Sequence, residues 1–329
     1  MRRREAVSLL IGAAAAWPFA ARAQPAGRIP VIGYLHPLTE ADDRRLGHGA
    51  AFREGLRDLG YFVGKNLRIE ARYADRHFER CKALAAELVG LNVALIVTVG
   101  PGVLAARGVT TTVPIVVPTW ADFVAMGFAE SLAHPGGNVT GLTSFSEELP
   151  SKRLELIKQV QPSLTRLGVL LLAPSDSPDN RIVLDLANAT AAKLKIELAP
   201  IAVQSAAEVE RAVSGAPGGP VGGFVIVDAP ILVDDSAVIA EFAQRRGLLS
   251  IGGPIYASAG GLLGFGVDFP PMWRRSATFV DKILKGAKPG DLPIEQATKF
   301  TTIVNLKSAR ALGLEIPPIV LAAADEVIE

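Results

Sequence analysis

The sequence predicts an α/β fold: two doubly wound, Rossmann-like lobes joined by three hinge crossings. Short apolar strands alternate with amphipathic helices along the 329-residue chain, the order that builds parallel sheets from right-handed βαβ units. The alternation runs twice, on either side of a Pro-Gly-Gly break at Pro135, Gly136 and Gly137. The length suits two domains of roughly 100–200 residues each. With 49% hydrophobic and 20% charged residues, the chain has the composition of a protein that buries a core.

In the first half, VIGYL (31–35) is a short apolar strand. A polar loop leads from it to an amphipathic helix in which Phe52, Leu56 and Leu59 recur at i, i+4 and i+7, ended by Gly60. Leu67, Ile69, Ala71 and Tyr73 alternate with Arg68, Glu70 and Arg72, the period of a half-buried strand near a sheet edge. A helix over 78–88 stops at Gly90 and leads into VALIVT (93–98), whose unbroken apolar character suits a central parallel strand covered on both faces. PIVVP (114–118) is the next strand, behind a short helix.

The second half repeats the order. RLGVLLL (Arg166–Leu172) is followed by a loop with Pro174, Ser175 and Asp176, a helix through Ile182, Leu186 and Ala189, and the strand KIELAPI (195–201). Another helix and the strand GFVIV (223–227) come next. The first crossing is placed at HPGGNVTG (134–141), and the second after GLLGFGVD (261–268). The third follows the helix 272–284 and GAKPGDLP (286–293), before the last strand KFTTIVN. Asn305 then caps a short helix that Gly313 ends. The expected N-terminal lobe is 28–141 plus 269–291, and the C-terminal lobe 142–268 plus 292–329.

Residues 1–23 read as an export leader. Arg2, Arg3 and Arg4 precede an apolar run over 6–16 and a small-residue Ala21-Arg22-Ala23 site, the layout of a signal peptide. That run is about half of the ~20 residues a membrane-spanning helix needs. The consecutive arginines resemble a twin-arginine leader, with Ala6 where that motif has an aromatic residue. The leader holds four Arg and one Glu, so 30 basic and 32 acidic residues of the original 34 and 33 remain without it, a charge of about −2. No concentrated Lys/Arg stripe marks a nucleic-acid partner. Cys81 is the one cysteine, so no internal disulfide forms, and it lies far from where a lipid-attachment cysteine would be. Beside Phe78, Leu84 and Leu88 it reads as a buried thiol.

Ligands of open parallel α/β sheets sit beyond the carboxyl ends of the strands, where loops and helix N-termini offer backbone N–H groups. The candidates in the first lobe are therefore His36 with Pro37, Gly100 to Gly102, and Thr119, Trp120 and Asp122. In the second they are Ser144, Phe145, Ser146, Ser175, Asp176, Asn180 and Asp228, with Tyr256 and Asp268 from segments near the crossings. These types suit a small zwitterion or an aromatic acid. Hydroxyls and helix-start amides hold a carboxylate, Asp228 or Asp268 faces an ammonium, and Trp120, Phe145 and Tyr256 wall an apolar group. Each also has a plain structural alternative: Asp122, Ser146 and Asp176 as helix caps, Trp120 as core. His48, His77 and His134 read as solvated or capping residues.

Catalytic signatures are missing: there is no GxSxG elbow, no Gly-rich Lys loop, no HExxH and no Cys pair at metal spacing. VGPG (99–102) follows a strand but does not make GxGxxG, so a dinucleotide is unsupported. No cofactor or metal is expected, although a His with an Asp keeps acid–base chemistry open.

The leader MRRREAVSLLIGAAAAWPFAARAQ, the opening IPVIGYL, the block FREGLRDLGYFVGKNLRIEARYAD, SLAHPGGNVTGLTSFS, KPGDLPIEQATKF and the ending IPPIVLAAADEVIE span essentially the whole chain. Together they resemble the tryptophan/tyrosine-type substrate-binding proteins of ABC transporters, within the type I periplasmic binding protein superfamily. The resemblance implies periplasmic residence, two lobes that close on a small organic solute, and delivery to an ABC permease in the inner membrane. It also implies an Asp-Pro pair where this chain has Asp122-Phe123. Two other readings use the same clamp: a periplasmic sensory receptor signalling to a membrane kinase or cyclase, and an exported α/β enzyme with its site in the cleft. A gene regulator of that superfamily is disfavoured, because no helix-turn-helix precedes the first strand.

Overall fold

The computed structural model describes residues 29–120, 122–144 and 148–329, so the expected leader, Phe145 and Ser146 lie outside the described residues. The strands are β1 (Val31–His36), β2 (Arg68–Tyr73), β3 (Leu95–Thr98), β4 (Ile115–Trp120), β5 (Val139–Thr143), β6 (Arg166–Leu172), β7 (Glu197–Val203), β8 (Gly223–Ile226), β9 (Leu249–Gly252), β10 (Leu263–Val267), β11 (Glu295–Gln296), β12 (Phe300–Asn305) and β13 (Glu326–Ile328). They form two sheets. One is wholly parallel, in the order β11-β5-β4-β3-β1-β2, with β2 at its edge as the alternation over 67–73 predicts. The other has the order β13-β12-β10-β9-β8-β6-β7. It departs from the all-parallel expectation at one edge, where β12 runs antiparallel to β10 and carries β13 beside it. The chain reaches β12 directly from β11 through residues 297–299, with no helix to impose a parallel crossover.

Period-two geometry sorts the apolar strands onto two faces, which is why they read as unbroken hydrophobic runs. In the first sheet Ile32, Tyr34, Leu95, Val97 and Val116 join Phe52, Leu56 and Trp273 in one core. Leu35, Ile96, Ile115 and Val117 join Cys81, Leu84 and Leu88 in the other. The second sheet divides the same way: Leu167, Val225, Ile251 and Leu263 pack with Leu154 and Ile157, and Leu170, Phe224 and Ile226 with Ile239 and Phe242. Both sheets are doubly wound.

Sheet membership moves two of the expected crossings. β5 pairs with β4 through Thr143, so the first crossing falls after residue 143 and not within HPGGNVTG. The glycines there make a turn inside the first lobe: Gly136, at φ +75°, donates its N–H to the Gly290 carbonyl at 3.1 Å. A Cβ on Gly290 would lie 2.9 Å from the Gly137 oxygen, so the two Gly-Pro loops press together. Leu292 is likewise buried in the first-lobe core and β11 pairs with β5, which places the third crossing at 297–299 and not at 291. At the second crossing, after Asp268, the helix Phe269–Leu284 packs onto the first lobe against the helix His48–Asp58. The C-terminal signals hold: the Asn305 side chain accepts from the Ser308 N–H, and Gly313 is left-handed.

Candidate functional site: the interlobe cleft

Loops beyond the carboxyl ends of β1 and β2 meet those beyond β8. Thr39 and Asp42 form a capping box that starts the helix Glu40–Leu46. Asp42 also accepts from Arg76 Nε at 3.1 Å. Burial pushes the Asp42 carboxyl up, but the hydrogen bonds from Thr39 and Arg76 outweigh it and hold the group below its ordinary value. From this base Arg76 reaches Asp234 and Asp235 of the second lobe, with Nη1 3.1 Å from Asp235 Oδ1. Arg45 pairs with the Asp234 carboxylate and donates to its carbonyl at 3.2 Å.

On the second-lobe wall, Asp228 stands just past β8, with its side chain 22% exposed. Both its oxygens accept from Arg153 Nη2, at 2.8 and 2.7 Å. Arg153 belongs to the helix Glu148–Val160 and is 1% exposed. Its Nε donates to the Phe265 carbonyl at 2.8 Å and its Nη1 to the Ile226 carbonyl at 2.6 Å. One buried guanidinium therefore ties the ends of β8 and β10 together and fixes the Asp228 carboxylate. Val227, Asp228, Val233, Pro254 and Phe269 surround a space of about 10 Å³, enough for one water-sized sphere. That space is too small for a solute of amino-acid size.

The other expected residues take several places. Gly100, at φ +53°, starts the short helix Pro101–Arg107, and Thr119 is half-buried at the end of β4, whose last residue is Trp120. Asp122 accepts from the Val124 and Ala125 N–H groups of its own turn, at 2.9 and 3.0 Å, while Phe123 packs edge-on against Phe128 inside the lobe. Ser144 is half-buried at the first crossing and Ser175 is exposed. Asn180 gives its amide N–H groups to the Leu172 and Pro174 carbonyls, at 2.7 and 2.8 Å, bracing its own loop. Tyr256 is 2% exposed and donates to Ser250 at 2.6 Å, which puts the ring in the second-lobe core. Asp268 is raised above its ordinary value by burial, with Lys299 opposing.

His36 also turns inward. It lies on the face of β1 shared with Tyr34, its ring is tilted against Trp273, and burial lowers its pKa to about 4. His48, expected as a solvated or capping residue, stacks on Trp273 at 5.0 Å, because it shares the inward face of its helix with Phe52 at i+4 and Leu56 at i+8. His36, Asp43 and His48 bring ligand-type atoms within 4.8 Å of one another. Their hydrogen bonds describe a packed polar cluster. Asp43 accepts from Tyr34 and from the Gly49 N–H at 2.9 Å, and from Tyr73 at 3.0 Å. Nδ1 of His36 accepts from the Leu38 N–H at 3.3 Å, which assigns the imidazole proton to Nε2, the atom a metal would need bare.

Residues 41–328 match the family model described as ABC transporter substrate binding protein. A tyrosine-binding protein of Clostridioides difficile (strain R20291) is 26% identical over 274 residues, 80% of this chain and 76% of that protein. The fold is that of an ABC domain from Streptococcus pneumonia solved in complex with L-Trp, with a TM-score of 0.83 at 21% identity over 92% of this chain and 100% of that one. It is also that of the ligand-free, open structure of a substrate binding protein with adhesive properties from Clostridium difficile, with a TM-score of 0.67 at 21% identity over 91% of this chain and 99% of that one. With two doubly wound lobes meeting at a cleft and a family model spanning nearly all the described residues, the chain belongs to the ABC transporter substrate binding protein family.

Proposed function

We propose that this protein is an exported receptor of an ABC importer. It binds an aromatic amino acid or a related acid between its lobes, closes on it, and presents it to a permease of the inner membrane. Residues 1–23 serve as the signal peptide in this reading, and the mature chain works in the periplasm. The relatives bound to or named for tryptophan and tyrosine support the ligand class. The better superposition on the L-Trp complex than on the open structure supports a closed arrangement of the lobes. The family match favours this reading over the sensory and enzymatic ones.

The observation that carries the site is the Arg153–Asp228 pair. A buried cation holds a part-exposed carboxylate rigidly at the end of β8, where it meets the ammonium of a bound amino acid. In this reading the loops beyond β3 and β4, with Gly100 and Thr119, supply the facing wall, and Ser144 at the first crossing and Asp268 at the second complete it.

Thermal-shift and calorimetric titration with tryptophan, tyrosine and their deaminated acids test the proposal. A true ligand at 100 times its Kd stabilises the fold by about 2.7 kcal/mol. Asp228→Asn is expected to weaken binding of the amino acid more than that of its deaminated analogue. Equal loss for both removes Asp228 from the ammonium site, no binding of these solutes ends the ligand assignment, and a chemically altered ligand ends the receptor reading.

A further inference from the structure

We infer that Arg76 and Asp234 set ligand affinity without touching the ligand, by latching the two lobes together. The inference rests on the closing-clamp reading above. Asp234 lies at the end of the helix Pro230–Asp234, with its side chain 0% exposed, and its carboxylate is paired with Arg45 and Arg76 of the first lobe. Asp235 adds a further pair to Arg76 at 3.1 Å. All of these partners lie across the cleft, so the pairs exist only when the lobes meet. They are a differential contact of the kind that shifts a two-state equilibrium.

The first-lobe side is built beforehand. Asp42 is fixed by the Thr39 hydroxyl and N–H, at 2.8 and 3.2 Å, and holds Arg76 Nε at 3.1 Å, which aims the guanidinium across the gap. Less side-chain freedom is lost on closure as a result. Asp43, the next residue, anchors the same helix to the first-lobe core through Tyr34 and Tyr73. The latch arm cannot move without that core moving. The pairs of Arg45 and Arg76 with Asp234 and Asp235 are made between protein groups alone, so closure needs no ligand to bridge the walls. Ligand-free protein then spends part of its time closed, and apparent affinity is the intrinsic affinity scaled by that closed fraction.

Double electron–electron resonance between labels at Lys82→Cys and Glu241→Cys, both exposed and one in each lobe, reads the closed fraction directly, since native Cys81 is buried. Ligand-free wild type is expected to show a short-distance population that shrinks about tenfold in Arg76→Gln and in Asp234→Asn. The same population shrinks as salt rises from about 0.05 to 0.5 M, because salt screens the Arg76 and Asp234 charges that the parted lobes expose to solvent. The Kd for tryptophan or tyrosine rises by the factor by which the closed fraction falls, chiefly through faster release. Arg44→Gln, which loses a pair with Glu40 inside one helix, leaves both unchanged. Identical ligand-free distance distributions in wild type and both variants, at low and high salt, overturn the latch. If a variant fails to fold, the salt series on wild type decides alone. The ligand-free readout also separates the two ideas, because a latch that works in a protein binding none of the tested solutes condemns the ligand assignment only.

Discussion

His36 and His48 are each nine-tenths or more buried, and their rings lie 5.8 Å apart. Desolvation holds His36 at about 4; burial first, and then the neighbouring His36, hold His48 at about 3. An unfolded histidine titrates near 6.5, so between that pH and about 4 the unfolded chain binds more protons than the folded one. Stability is therefore full above pH 6.5 and falls as the pH drops, by up to about 3 kcal/mol for His36. Urea melts between pH 7 and 4 should trace that loss. His48→Phe keeps a ring stacked on Trp273 and removes two nitrogens that have no hydrogen-bond partner, so it should flatten the slope without lowering stability at pH 7. At this scale the sequence was least legible. A histidine at i−4 from Phe52 lies on the apolar stripe, so the burial of His48 is a signal the helical period carries and the solvated or capping expectation does not use. Arg153 shares its helix face with Ile157 at i+4 and Val160 at i+7, so its burial was readable by the same rule. Arg76, Asp234 and Asp235 had no such signal, because an ion pair across a cleft leaves no periodicity.

The helices His48–Asp58 and Phe269–Leu284 approach closely in the first lobe. A Cβ on Gly55 would lie 2.2 Å from the Arg274 carbonyl oxygen and 3.0 Å from Ala277 Cβ. Gly55→Ala should force the helices apart and cost about 1–3 kcal/mol, measurable as a lower urea midpoint with an unchanged slope. Elements of this kind were the most legible in the sequence, because a 3.6-residue stripe or an unbroken apolar run fixes type and burial together. β12 was found, but its direction was not. Strand direction follows from the path the chain takes between elements, and three linking residues hold no record of it.

At the level of the molecule, the two-lobe plan was readable from the repeated strand–helix order, while its seams were off by a few residues. Glycine and proline mark turns inside a lobe as readily as joins between lobes, and HPGGNVTG is the former. The second seam has a stability consequence. Trp273, Phe279 and Val280 are wholly or almost wholly buried in the first-lobe core, although they follow the complete run β6–β10 of the other lobe. A chain ended at Asp268 should therefore lack a cooperative melt of its first lobe and expose apolar surface to a hydrophobic dye. Retention of a sharp two-step melt in that truncation would contradict the packing.

The same detour sets an order of events during synthesis. The amino-terminal half leaves the ribosome first, yet the helix that closes its core is among the last segments made, after more than a hundred intervening residues have emerged. The early half must wait, unfinished and pliable, until the late one arrives. A core that locks only when Trp273, Phe279 and Val280 arrive keeps the first half slack until nearly the whole chain has been made.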